Sequence, residues 1–198
     1  MTDSAISPSR RRTRLRITEA AQRLADERGS IDGFTMEELA DAADVSRRTL
    51  FNYFPSKVDA VLGPELDLAA DAVDTFRSGG PSGDLIEDLQ ALVLTILETE
   101  SQDVEIDAET IHRFDRIVHA NPSLLVLLKE RMRRLVEQLV EVAVQRPGGD
   151  LPARDVQIAI AVLAGVTETA VTAFSDDPEQ DLAGLIVSGI DTVRRLFG

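Results

Sequence analysis

Between Phe34 and Lys57 the chain reads FTMEELADAADVSRRTLFNYFPSK, and the spacing of its capping residues leaves little freedom in how it folds. Thr35 stands three residues before Glu38, the capping-box spacing in which a hydroxyl and a carboxylate each satisfy a backbone N–H at a helix start. Phe34 and Leu39 occupy the two positions of a hydrophobic staple, and the arrangement recurs with Ser46 as cap and Val45 and Leu50 as staple. The two starts are eleven residues apart. The first helix therefore runs only from about Met36 to Ala43, and the turn around Asp44 and Val45 sets the second at a steep angle, as in a helix-turn-helix. The second helix opens with Arg47 and Arg48, cations that oppose the helix dipole by a few tenths of a kcal/mol each. Local stability does not account for them; an anionic partner does.

The remaining periodic segments repeat at helical spacing, and with 43% hydrophobic residues, no Trp and one Tyr the chain is expected to be all-α. It has no Cys, which excludes disulfides and thiolate chemistry. The start, MTDSAISPSRRRTR, is basic but lacks the apolar core of a signal peptide. The longest apolar stretch, Val156 to Val166, contains Gln157 and is too short to span a bilayer, so a cytoplasmic protein without a membrane partner is expected. The net charge of −14 becomes compatible with an anionic partner once it is divided along the chain. Residues 1 to 60 carry 10 Lys and Arg against 10 Asp and Glu, whereas residues 61 to 198 carry 11 against 25. Arg10, Arg11, Arg12, Arg14 and Arg16 form a basic arm, for which nucleic-acid contact and a solvated tail are the two readings. The acidic remainder fits either repulsion of phosphate outside the basic face or plain solubility.

Along the chain, a first helix is expected from about Thr13 to Arg28, with Ile17, Ala20, Ala21, Leu24 and Ala25 on one face and Gly29 as its stop. Ser56 can cap a fourth helix with Asp59 at the reciprocal position, continuing through Val61, Leu66, Ala69, Ala70 and Val73 with a kink at Gly63 and Pro64. SGGPSG from Ser78 to Gly83 reads as a linker. Further helices are expected from about Asp84 to Glu100, from Asp107 to Ala120, from an Asn121 cap with Pro122 at its first position to Arg146, and from Ala153 to Phe174. A last helix starts around Asp177, Pro178 and Gln180, and the break between the long helices is Pro147, Gly148, Gly149. The final two helices are too apolar for a monomer's surface.

These residues resemble the tetracycline-repressor (TetR) family of transcriptional regulators. The likeness rests on the basic arm with its helix and on GFTMEELADAADVSRRTLFNYFPSKVDAV from Gly33 to Val61; beyond that it is one of helix count and size. The resemblance implies an all-α chain of about nine helices. A three-helix DNA-binding domain spans residues 1–56, and a larger helical ligand-binding and dimerisation domain spans 57–198. It makes Ser46 to about Tyr53 a recognition helix in the major groove. Arg47 and Arg48 then reach guanine edges or phosphates, Thr49 a phosphate or a thymine methyl, and Asn52 an adenine or a phosphate. Tyr53 and Lys57 are expected at phosphates, and Phe51 offers an apolar contact. With Arg12, Arg14, Thr35 and Ser46 these complete the expected DNA-binding set. Leu50 and Phe54, one turn apart, are core.

The family's dimeric habit suits the apolar last helices, where Ile158, Val162, Gly165, Ile186, Gly189, Ile190 and Val193 form the expected interface. The partners implied are a palindromic operator duplex, a second copy of the chain and a small-molecule effector, and the function a repressor released by that effector; activation is the alternative. Candidate effector-lining residues are Leu89, Val93, Leu97, His112, Phe114, Met132, Val136, Glu168 and Thr169, most of which equally suit plain core. Thr167, Glu168 and Thr169 interrupt an apolar helix, and pocket, dimer contact and intrahelical bonding all fit them. His112 and His119 lie seven apart without a third ligand at characteristic spacing, so no metal and no cofactor are expected, and Asp103 to Glu109 reads as a solvated charge run. An enzyme using His112 or Glu168 as acid or base lacks a nucleophile motif or phosphate loop, and a protein-interaction adaptor would be monomeric.

Overall fold

The computed structural model describes residues 8–65, 70–101, 107–147 and 152–197, and among these every regular element is helical. In chain order they are α1 (Pro8–Arg28), a 3₁₀ turn (Ile31–Gly33), α2 (Met36–Ala42), α3 (Arg47–Tyr53), α4 (Lys57–Leu62), α5 (Ala70–Arg77), α6 (Leu85–Ser101), α7 (Ala108–Ala120), α8 (Pro122–Ala143), α9 (Ala153–Asp176) and α10 (Leu182–Phe197). They divide into two compact units. Residues up to Glu65 together with Thr110–Glu130 make the first, and Leu66–Glu109 with Arg131–Gly198 the second.

The first unit is organised by α1, whose Ile17, Ala20, Ala21 and Ala25 form the expected buried stripe. The rest of that core comes from Ile31 and Phe34, Leu39, Ala40 and Ala43, Leu50 and Phe54, Ala60 and Val61, and Ile117 and Leu124. The small alanines let other helices approach α1 closely. Gly63, which ends α4 at φ 74, sits so near that an added Cβ would lie 3.1 Å from the Thr18 methyl. Gln22 Nε2 donates to the Val61 carbonyl (3.0 Å), answering one of the unpaired acceptors at the end of α4. Because Ala60 and Val61 are sealed in this core, Lys57–Leu62 packs with the first unit although the sequence boundary at 56/57 assigns it to the following domain.

The α7–α8 corner also belongs to this unit. Asn121 is buried, its Oδ1 accepts from the Ile31 N–H (3.1 Å), and its Nδ2 donates to the Ile117 carbonyl (2.8 Å). The side chain expected to cap α8 instead joins the corner to the 3₁₀ turn, while Pro122 does begin the helix. Arg116 adds a two-pronged contact to Asp26 of α1 (3.1 and 2.8 Å), which holds the Asp26 carboxyl below its usual range.

In the second unit Phe76, Leu89, Leu92, Leu139, Ala143, Val156, Ile160, Leu163 and Ile190 form one core. A buried ion pair borders it. Asp88 accepts from the Ser82 N–H (2.6 Å) and the Gly83 N–H (3.3 Å) and pairs with Arg146, whose guanidinium lies 4.4 Å from the centre of the Phe76 ring. The SGGPSG segment is thus an internal turn of this unit, tied by its backbone to α6.

Several boundaries differ from the sequence expectation for definable reasons. α1 begins at Pro8, so Arg10 to Arg16 are helical: Pro suits a first turn, Arg favours helix, and Thr13 Oγ1 donates to the Ser9 carbonyl (3.0 Å). α4 stops at Gly63 rather than kinking, since Gly63 adopts a positive φ and Pro64 lacks an N–H. The expected continuation through Leu66 and Ala69 lies outside the described residues, as do Gly148, Gly149 and Asp103 to Ile106 of the charge run. α8 ends at Ala143, three residues short, where Val144 to Arg146 turn so that Arg146 meets Asp88. α10 begins at Leu182 because Asp181 accepts from the Ala183 and Gly184 N–H groups (both 3.1 Å), whereas Asp177 closes α9 and receives Gln180 Nε2. By length and composition α9 is long and apolar enough to cross a membrane, contrary to the reading of Val156 to Val166 as too short. The core helix of a soluble protein has the same make-up, and α9 buries Val156, Ala159, Ile160 and Leu163 in its own unit.

Candidate nucleic-acid interface

The helix-turn-helix is built by local chemistry. Thr35 Oγ1 accepts from the Glu38 N–H (3.1 Å) while Glu38 Oε2 accepts from the Thr35 N–H (2.8 Å), a complete capping box. The same bonds lower the Glu38 pKa, the Thr35 backbone N–H contributing most. Between α2 and α3 the chain reverses at Asp44, whose φ of 49° is left-handed; Asp is among the few side chains that tolerate this region, and it needs no Gly here. Ser46 Oγ then accepts from the Thr49 N–H (3.0 Å), starting α3 at Arg47. Leu50 and Phe54 are buried and fasten α3 to α1 and α2, so the opposite side of this seven-residue helix faces outward.

That outward side carries Arg47, Arg48, Phe51 and Asn52, all exposed, with Phe51 retaining 43% of its surface. Thr49, Tyr53 and Lys57 are half-buried. The cations differ in their commitments. Arg47 Nη1 pairs with Glu37 Oε1 of α2 at 2.7 Å, and its guanidinium lies 5.5 Å from the Phe51 ring centre. Lys57 Nζ donates to the Phe34 carbonyl (2.8 Å), lies 3.8 Å from Asp32 and covers the Phe34 ring at 5.4 Å. Among the described residues Arg48 has no ion pair, which leaves its whole guanidinium available.

The hydroxyls are engaged as well. Thr35 Oγ1 donates to Glu38 Oε2 (3.1 Å), and Ser46 and Thr49 share a hydroxyl–hydroxyl bond of 2.8 Å. On α1, Arg12 is exposed and Arg14 half-buried, three residues before the buried Ile17. The structure thus gathers Arg47, Arg48, Phe51 and Asn52 on one helix surface, gives Ser46 and Thr35 capping duties, and puts Arg12 and Arg14 on a separate helix of the same unit. Sequence reading missed Glu37 as a partner of Arg47, since residues ten apart on two helices have no diagnostic spacing.

The other expected sites are distributed differently. Leu89, Val93 and Val136 meet in the core of the second unit, Leu97 is half-buried, and Met132, Glu168 and Thr169 are exposed. His112 and Phe114 belong to the first unit, His112 exposed and Phe114 half-buried. Thr167 and Thr169 bond back to the Leu163 and Gly165 carbonyls (both 2.9 Å), the intrahelical option. His119 Nδ1 lies 2.9 Å from the Asp115 carbonyl oxygen. Of the residues expected at a dimer contact, Ile158 and Gly165 are exposed and Val162 and Val193 half-buried. Ile186 and Ile190 are buried within the single chain, and a Cβ on Gly189 would meet Val166 of α9 at 2.5 Å, so Gly189 lies close against α9.

Among solved structures, Thermus thermophilus FadR, a TetR-family transcriptional repressor in complex with lauroyl-CoA, matches with 24% identity, covering 90% of this chain and 91% of that one at a TM-score of 0.40. No curated protein matches the chain. Residues 17–61, from the buried stripe of α1 through the helix-turn-helix to α4, match the family model described as bacterial regulatory proteins, tetR family. Over residues 17–61 the chain is thus similar to the tetR family of bacterial regulatory proteins.

Proposed function

We propose that the protein is a cytoplasmic transcriptional repressor that binds a palindromic operator as a homodimer and is released by a small-molecule effector. One observation carries this reading: α3 is fixed to the core by Leu50 and Phe54 while its outer surface offers Arg48, without an ion pair among the described residues, beside Arg47, Phe51 and Asn52. Arg supplies bidentate contacts to guanine or phosphate and Asn to adenine, and a good bidentate pair discriminates by about 1–3 kcal/mol. Tyr53 and Lys57, with Arg12 and Arg14 of α1, serve phosphates. The first unit, residues up to Glu65 with Thr110–Glu130, holds this reader; the second, Leu66–Glu109 with Arg131–Gly198, carries effector binding and dimerisation.

Dimerisation is assigned to the outward surfaces of α9 and α10, where Ile158 keeps 52% and Val187 39% of its surface in the single chain. A two-fold pair places its recognition helices roughly 34 Å apart, one turn of duplex, so the operator is palindromic. An effector releases DNA by preferring the incompetent arrangement, with about 1.4 kcal/mol of preference per tenfold change. The second-unit cluster around Leu89, Val93 and Val136 is its candidate seat. No catalysis is assigned. Selection of duplexes from a randomised pool, followed by sedimentation of the complex, tests the reading. A palindromic consensus bound by two copies is expected, and recovery of no enriched sequence would refute it.

A further inference from the structure

We propose that Glu37 is a specificity-determining residue of the DNA-reading surface, acting on Arg47 so that this arginine favours a matching base over indiscriminate phosphate. The inference rests on the DNA-binding reading above and adds to it a residue that itself recognises nothing. Arg47 is held at two points: Nη1 against Glu37 Oε1 at 2.7 Å, and the guanidinium 5.5 Å from the centre of Phe51, within the range of a cation–π contact. Both side chains of the ion pair are more than half exposed, at 65% and 55%, so solvent screens the pair and DNA can compete with it. Arg48, next in sequence, has no such partner among the described residues.

Two consequences follow from the chemistry. A guanidinium has five N–H donors, and one bond to Glu37 leaves the others aimed in a fixed fork, the form in which Arg reads a guanine edge. At the same time the carboxylate neutralises the cation, and its own charge is repelled by any phosphate brought near. A duplex of arbitrary sequence meets only the neutralised pair and the repulsion. A duplex with the matching base also meets the oriented fork. Glu37 therefore weakens binding to all DNA, and weakens it least for the cognate site.

The capping geometry supports a role distinct from helix stability. Glu38, not Glu37, closes the capping box with Thr35, and it also lies 3.6 Å from Arg28. Glu37 is not needed for that box, and its neutral isostere keeps the helix start intact.

The test uses the full-length protein, a duplex selected from a randomised pool by the wild type, and a mixed-sequence duplex of equal length. For Glu37→Gln, affinity for the mixed-sequence duplex should rise at least fivefold and its log–log salt slope should steepen by about 0.9, the value of one additional phosphate contact. The ratio of selected to mixed affinity should fall by threefold or more. In an Arg47→Ala background the same Glu37 change should leave the ratio within twofold, whereas a merely structural role would move it in both backgrounds and a general charge effect in neither. A ratio unmoved by Glu37→Gln, or one moved equally in both backgrounds, overturns the proposal. Failure of the wild type to bind either duplex would instead overturn the DNA-binding reading itself.

Discussion

At the scale of single residues, the same amino-acid type does different work according to what its backbone position leaves unsatisfied. Asn121 was legible as a helix cap because Asn precedes Pro at a break in periodicity. Its actual role, accepting from Ile31 and donating to Ile117, depends on a partner 90 residues away that no local pattern reveals. Replacing Asn121 by Ala strands a buried N–H at Ile31, at a cost of about 1–3 kcal/mol. Urea denaturation of the variant measures this, and unchanged stability would mean that the α7–α8 corner does not hold the 3₁₀ turn. The cations divide in the same way. Arg47, Arg48 and Lys57 all read as phosphate or base ligands from their place around one helix, but only the fold shows that two of them already have carboxylate neighbours while, among the described residues, Arg48 has none.

At the scale of elements, caps that act over three residues were read correctly from spacing, and competition between nearby caps was not. Thr35 with Glu38, and Ser46 as the cap of α3, appear as expected. Asp177 and Asp181 both suit the start of α10, and Asp181 takes it by accepting two N–H groups. The Asp88–Arg146 pair, 58 residues apart, lay wholly beyond sequence reading although it fastens the end of α8 to the start of α6. Burial pushes the Asp88 carboxyl up, but Arg146 and the Ser82 N–H outweigh it, and the pKa is lowered from the ordinary 3.8. A lowered folded-state pKa gives stability that is fully present above the unfolded value and is lost as pH falls through the folded one. Asp88→Asn should therefore cost about 3–5 kcal/mol at neutral pH by leaving Arg146 buried without its counter-ion. The gap to the wild type should narrow as pH drops below 3.8. Denaturation at pH 7 and at pH 3 tests this, a gap of constant size being the contrary outcome.

At the scale of the whole chain, the all-α class and the helix-turn-helix were legible because period and capping are local properties. The division of residues between compact units was not, since α4 and the α7–α8 corner join the first unit through burial of Ala60, Val61, Ile117 and Leu124. Which apolar residues of the last helices are buried within the chain was not legible either: helical spacing marks an apolar residue but not which side of it meets the chain's own core, and Ile186 and Ile190 are buried there. The central claim is that α3 reads DNA through its uncommitted arginine. Its most direct test is a fluorescence anisotropy titration of a selected duplex with wild type and Arg48→Ala at two salt concentrations. The wild type should lose affinity steeply with salt, and Arg48→Ala should bind about tenfold or more weakly, the lower part of the range for one specific contact, while melting at the same temperature. Equal affinities for the two proteins, or a flat salt response, would contradict the account.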